Sequence, residues 1–207
     1  MIIKASPLII PRYGHRHRLS IGILGGSFNP AHEGHAHIAR QALAHARLNQ
    51  VWLMVSPGNP LKPSKGMAPF AQRLASAARQ ADGHRLIATA IEAQLGTRYT
   101  INTLTALQTR FPRARFVWLM GADNLAQLPK WRRWRQLAAR VPMLVLPRPG
   151  ETRKALASQA AHTLAKYRQS ARATLKLAQM TSPAWSLLPV REHAASATAI
   201  RQANNRS

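Results

Sequence analysis

Apolar residues recur along this chain in two alternating spacings. Compact apolar runs stand at 20–24, 51–55, 86–90, 116–120, 143–146 and 186–188, each too short for a helix. Bounded by turn residues, such runs predict buried strands. Between them the spacing lengthens to three and four residues, as in Ile38, Ala39, Ala42, Leu43 and Ala46. That period predicts helices over 35–47, 70–81, 100–110, 131–139 and 196–203. Pro112 stops the third helix, and Pro142 separates the fourth from the strand that follows. Strand and helix in alternation predict an α/β domain, a parallel sheet wrapped by helices. Ligands of such sheets gather at the carboxyl ends of the strands. The segments that directly follow strands, 25–38, 56–62 and 121–124, are therefore expected to converge. Residues 151–180 read as a basic, Ala-rich helical excursion with no identifiable chemistry.

The junction between the first strand and the first helix carries the most chemistry. It reads Gly25-Gly26-Ser27-Phe28-Asn29-Pro30-Ala31-His32-Glu33-Gly34-His35. A helix N-terminus offers unpaired backbone N–H groups and the positive end of its dipole, so it attracts anions. Gly25 and Gly26 let the backbone approach a phosphate closely, and His32 and His35 add side-chain donors. The segment reads as a nucleotide-phosphate site. It does not fit the dinucleotide fingerprint G-x-G-x-x-G, nor does it end in Gly-Lys-Ser/Thr. A zinc helix of the H-E-x-x-H type needs its second His four residues after the first, whereas here it falls three after. A glycine turn with surface histidines is the remaining alternative, and His37 and His45 read as ordinary helix-surface residues.

His32-Glu33-Gly34-His35 also resembles the H-x-G-H signature of the nucleotidylyltransferase superfamily, with Gly25, Gly26, Ser27 and Phe28 as its glycine-rich lead-in. The rest of the chain narrows the resemblance to the bacterial nicotinate-nucleotide adenylyltransferases. Similar elements occur in order: 57–62, Tyr99-Thr100 with Thr103-Leu104, Gly121-Ala122-Asp123, Pro129-Lys130-Trp131, Arg148-Pro149-Gly150, and the stretch from Ser196 to Arg201. The resemblance implies a single domain with a Rossmann-like α/β fold, a parallel sheet with helices on both faces. It implies an ATP-dependent enzyme that adenylylates nicotinate mononucleotide, giving nicotinate adenine dinucleotide and pyrophosphate in NAD synthesis.

By the same resemblance His32 and His35 serve the triphosphate and the transition state, and Gly25, Gly26, Ser27, Phe28 and Gly34 surround ATP. Lys62 is a phosphate contact, Asp123 holds the adenosine ribose, and Ser196, Thr198 and Arg201 wrap the ATP phosphates. Trp131 stacks on the pyridine ring, Tyr99 and Thr100 form the loop that reads the nicotinate carboxylate, and Arg148 lies near the mononucleotide phosphate. Trp134 reads as core. Three positions depart from the family pattern: Leu61 where a His is common, Arg98 where a Ser is common, and Ala195 where an Ile is common. Residue types alone leave plainer readings open. Lys62 could be a solvated loop lysine, Asp123 a helix N-cap, and Ser196 and Thr198 helix caps.

Composition narrows the chemistry further. The six carboxylates, Glu33, Asp82, Glu92, Asp123, Glu151 and Glu192, are scattered singly, so no dyad or metal cage exists at sequence level. No protein-held metal is expected; Mg²⁺ would ride mainly on ATP, and no tightly bound organic cofactor is expected. Without cysteine and without a G-x-S-x-G elbow, covalent acyl chemistry has no obvious nucleophile. Adenylyl transfer suits this inventory, because a nucleotide monophosphate is mostly ionised at neutral pH and needs alignment more than a base.

At 207 residues the chain suits one domain. Residues 1–19 read as a basic N-terminal extension, expected to be solvated and poorly ordered, and 20–207 as the nucleotidylyltransferase domain. The extension's apolar stretch, 7–10, is too short for a secretory signal, and no apolar run reaches membrane-spanning length. Cytoplasmic location is the default expectation. The net charge of +24, from 30 Lys and Arg against 6 acids, raises the alternative of a basic nucleic-acid-binding module. The basic residues are spread through the helices with no zinc-finger or RNA-recognition pattern, so no specific nucleic-acid partner is expected. Their charge can instead steer anionic nucleotides. Sister enzymes acting on phosphopantetheine or nicotinamide mononucleotide are the nearest enzymatic alternatives. Trp131 and the Tyr99-Thr100 loop argue against the first, but the sequence does not separate acid from amide.

Overall fold

The computed structural model describes residues 18–58 and 66–192. Residues 1–17 of the N-terminal extension, Lys62 and the expected helix carrying Ser196, Thr198 and Arg201 lie outside the described residues. Among those described, the chain runs β1 (Ser20–Gly26), α1 (Glu33–His45), β2 (Gln50–Val55), α2 (Phe70–Gln80), β3 (Leu86–Thr89), α3 (Ile91–Gln94), α4 (Thr100–Arg110) and β4 (Arg115–Gly121). It continues through α5 (Ala122–Gln127), α6 (Trp134–Arg140), β5 (Met143–Leu146), α7 (Thr152–Leu156), α8 (Gln159–Thr163), β6 (Arg168–Gln169) and β7 (Trp185–Leu187). The strands form one parallel sheet in the order β3-β2-β1-β4-β5-β7-β6.

Side chains alternate across a strand, and here both faces are apolar. Ile21, Ile23, Trp52, Met54, Phe116, Trp118, Met143 and Val145 face one core, where they meet Ile101, Leu104, Leu107, Leu125 and Leu137 from α4, α5 and α6. Leu24, Val51, Leu53, Val55, Val117, Leu119, Leu144 and Leu146 face the other, against Ala36, Ile38, Ala39 and Ala42 of α1 and Ala77 of α2. Helices thus cover both faces, as a Rossmann-like sheet requires. Burial on both sides explains why the strands read as continuous apolar runs.

From β1 the chain moves outward through β2 and β3, then crosses back to β4 on the other flank and continues to β5. The direction of winding reverses between β1 and β4. That reversal opens a crevice at their carboxyl ends, the usual ligand position in this architecture. Gly26 lies opposite Val55 in the register, and the Ser56 N–H donates to the Gly26 carbonyl at 2.9 Å. The expected convergence of the segments after β1 and β2 is therefore present.

Several boundaries differ from the sequence expectation, each for a local reason. β1 runs two residues further and takes Gly25 and Gly26 into the sheet. α1 covers Glu33–His45 rather than 35–47, because His32 caps it and Arg47 adopts a left-handed φ of 47°. Trp131 lies outside any helix. Leu128–Lys130 forms a 3₁₀ turn, Trp131 is extended, and Arg133 at φ 52° starts α6 at Trp134. α3 and α5 escape the periodicity argument because four and six residues span too little of a helical period. The excursion at 151–180 is not wholly helical, since Arg168–Gln169 adds an edge strand beside β7.

Candidate active site

The histidine spacing has a direct structural cause. His32 is the N-cap of α1, and His35 is the third residue of its first turn. His32 Nδ1 accepts from the Gly34 N–H at 3.1 Å, while His35 Nδ1 accepts from the His32 N–H at 3.2 Å. This is a reciprocal cap built from imidazoles instead of the usual hydroxyl and carboxylate. Because each Nδ1 accepts, the neutral rings carry their proton on Nε2. The rings lie with centroids 3.9 Å apart, His32 only 5% exposed and His35 half-buried. Phe28, in the preceding turn, packs its ring 4.9 Å from that of His35. The cap therefore does two jobs: it closes the helix end and fixes two Nε2–H groups beside the anion-attracting terminus.

The turn before them is held open by exclusion of side chains. A Cβ on Gly25 would lie 2.5 Å from the Trp118 ring. A Cβ on Gly26 would press on the Phe28 ring at 3.3 Å. Phe28 itself sits at φ 48°, a strained conformation for a bulky side chain, with its ring buried. The Ser27 hydroxyl is buried with no hydrogen-bond partner among the described residues. An orphaned polar atom and a strained residue in one turn are the marks of a functional segment.

At the end of β4, Asp123 and Arg148 come together, Arg148 Nε lying 3.2 Å from Asp123 Oδ1. The contact is a charge pairing without hydrogen-bond alignment, and both atoms are buried. A Cβ on Gly121, the N-cap of α5, would collide with both side chains. Asp123 therefore stands in the first turn of α5, and the cap is Gly121 rather than Asp123. Trp131 stands edge-on to Trp118 with centroids 5.9 Å apart. Since Trp118 lies against Gly25, Trp131 is one ring removed from the glycine turn. Trp134 is buried, as read from the sequence. Tyr99 is the N-cap of α4, with the Arg132 guanidinium 4.7 Å above its ring, and Thr100 is the first residue of that helix.

Two buried groups escaped the sequence reading. Glu92, on α3, accepts from the Thr103 hydroxyl at 2.9 Å, and that hydroxyl also contacts Thr97 at 2.8 Å. Burial pushes the Glu92 carboxyl above its ordinary range, against the downward pull of hydrogen bonds from Ser56 and Thr103. Arg73, on α2, is 3% exposed. It sits in register with Phe70, Leu74 and Ala77, so a charged residue on an apolar stripe was the available signal. Among the described residues no cluster of three His, Asp or Glu could hold a metal.

A reversal of winding with a glycine turn, a capped helix and two oriented imidazoles on one lip is a nucleotidyl-transfer architecture. The chain belongs to the cytidylyltransferase-like family, whose profile matches residues 23–203. Within that family its similarity is to nicotinate-nucleotide adenylyltransferases. It is 59% identical over 184 residues to the probable nicotinate-nucleotide adenylyltransferase of Gluconobacter oxydans, covering 89% of this chain and 94% of that one. The corresponding Gluconacetobacter diazotrophicus protein is 55% identical over 192 residues, covering 93% and 89%. The Plasmodium falciparum nicotinic acid mononucleotide adenylyltransferase, solved in complex with NaAD, shares the fold at a TM-score of 0.66. It is 14% identical, covering 89% of this chain and 83% of that one.

Proposed function

We propose that the chain transfers the adenylyl group of ATP to nicotinate mononucleotide, releasing pyrophosphate and forming nicotinate adenine dinucleotide. The carrying observation is the pair of imidazoles locked by their own helix cap beside the Gly25–Phe28 turn. The close relatives named nicotinate-nucleotide adenylyltransferases support the same reading.

The phosphate oxygen of the mononucleotide attacks the α-phosphorus of ATP. One P–O bond forms, and the bond to pyrophosphate breaks. The nucleophile is already ionised at neutral pH, so the protein's task is alignment and charge stabilisation. His32 and His35 present Nε2–H donors to the phosphates, and backbone N–H groups of the turn and of the α1 terminus add to them. Asp123 takes the adenosine ribose hydroxyls, and its pairing with Arg148 sets that carboxylate in place. Trp131 offers its face to the pyridine ring, with Tyr99 and Thr100 at the nicotinate carboxylate. Lys62, Ser196, Thr198 and Arg201 complete the phosphate contacts. Mg²⁺ carried by ATP would screen the charge of its phosphates. The reading places the enzyme in the cytoplasm; among the described residues no helix is long and apolar enough to cross a membrane.

A pyrophosphate-release assay with ATP and either nicotinate or nicotinamide mononucleotide tests the proposal. Release should favour the nicotinate nucleotide. Absence of release with both, combined with tight sequence-selective nucleic-acid binding, would replace the enzyme with a binding module.

A further inference from the structure

Arg73 breaks three rules of stability at once. It is buried. It is the fourth residue of α2 and reaches back to the Ala68 carbonyl ahead of the helix, so its charge lies near the positive end of the helix dipole, where acids rather than cations are favoured. Its partners among the described residues are four carbonyl oxygens and no carboxylate: Ala68 at 3.0 Å from Nε, Ser27 and Ser56 each at 2.7 Å from one terminal nitrogen, and Pro57 at 3.1 Å from the other. The Phe70 ring lies 5.4 Å from the guanidinium carbon. Burial lowers the affinity of the guanidinium for its proton, and no anion among the described residues offsets that effect. Violations of local rules in a well-packed protein concentrate where function demands them.

The four acceptors come from three separate segments: the glycine turn after β1, the loop after β2 and the lead-in to α2. A planar fork of donors is suited to gathering carbonyls at fixed angles, which a single ammonium cannot match. Peptide planarity adds a directional consequence, because a trans peptide points its N–H opposite to its C=O. Drawing the Ser27 carbonyl onto Arg73 turns the Phe28 N–H away from Arg73, and drawing in the Pro57 carbonyl does the same for Gly58.

We infer that Arg73 is a positioning residue for the triphosphate subsite: it holds the β1 turn and the β2 loop together and directs their backbone donors toward the phosphates of ATP. The inference rests on the adenylyltransferase reading for its substrate, but not for its anion. The buried positive charge lies beneath the turn, where it also adds to the field felt by a bound polyanion.

The test compares wild type with Arg73→Lys and Arg73→Gln, using inorganic tripolyphosphate and ATP as probes. Arg73→Lys keeps the charge and the stem but loses the fork. Its KM for ATP and its dissociation constant for tripolyphosphate should rise about 10–100-fold, while the KM for nicotinate mononucleotide stays within about twofold. Arg73→Gln should lose at least as much. If Arg73→Gln does not fold, Arg73→Lys alone decides. Equal losses on both nucleotides, values for ATP and tripolyphosphate within about twofold of wild type, or failure of Arg73→Lys to fold would each overturn the inference and leave a purely structural arginine. If wild type releases no pyrophosphate, the proposed reaction fails, and tripolyphosphate binding still decides the role of Arg73.

Discussion

His35 both caps α1 and presents Nε2–H, so its replacement has two separable effects. In the proposed role, losing one donor to the transition state should lower kcat by about 10²–10³. Losing half of a reciprocal cap costs about 1 kcal/mol of stability. His35→Ala should therefore show a large fall in kcat with a small fall in unfolding free energy; a kcat within about twofold of wild type removes His35 from the chemistry. Trp131→Ala should raise KM for the pyridine nucleotide far more than for ATP in steady-state assays, since the ring lies beyond Trp118 from the glycine turn. Glu92 supplies a pH signature. Its carboxyl holds a proton more tightly folded than unfolded, because burial disfavours the charge. Its contribution is full below the unfolded pKa and is lost as pH rises through the raised folded value. Glu92→Gln should be at least as stable as wild type at neutral pH, with a flatter fall in stability from acid to neutral pH in urea titrations.

At the level of elements, the strand–turn–helix unit of β1 and α1 is a packing device as much as a binding one. Gly25 admits the Trp118 ring, which in turn braces Trp131. Gly25→Ala should cost about 1–3 kcal/mol, as overpacking does, and should impair both substrates in steady-state assays because it displaces both rings. The strands were readable in the sequence because burial on two faces makes them unbroken apolar runs. The β1–α1 junction was readable because glycines and histidines stand where strand chemistry hands over to helix chemistry. What escaped was short or non-local. The four residues of α3 and the two of β6 carry too little pattern to be seen. The start of α6 depends on the left-handed Arg133 and on the 3₁₀ turn before it, which periodicity overruns. Arg73 is one of the basic residues spread through the helices; its place on an apolar stripe hints at burial, but its carbonyl partners, 5 to 46 residues away, lie beyond any local pattern. The Asp123–Arg148 pairing joins two residues whose neighbours in sequence give no hint of each other.

For the whole molecule the dominant quantity is charge. With +24 on 207 residues, the protein sits in its own positive potential, and both proposed substrates are anions. Long-range attraction speeds encounter and is screened over about 8 Å at physiological salt. kcat/KM for ATP should fall by about 3–10-fold when ionic strength rises from about 0.05 to about 0.5 M, with kcat changing less. A flat profile in initial-rate measurements would mean that the excess charge does not steer nucleotides.

All of these expectations converge on the crevice between the carboxyl ends of β1 and β4. A crystal of the chain soaked with a nonhydrolysable ATP analogue examines it most directly. The triphosphate should lie on the Gly25–Phe28 turn within hydrogen-bond reach of Nε2 of His32 or His35. Well-ordered analogue bound elsewhere, with that turn left bare, would contradict the account.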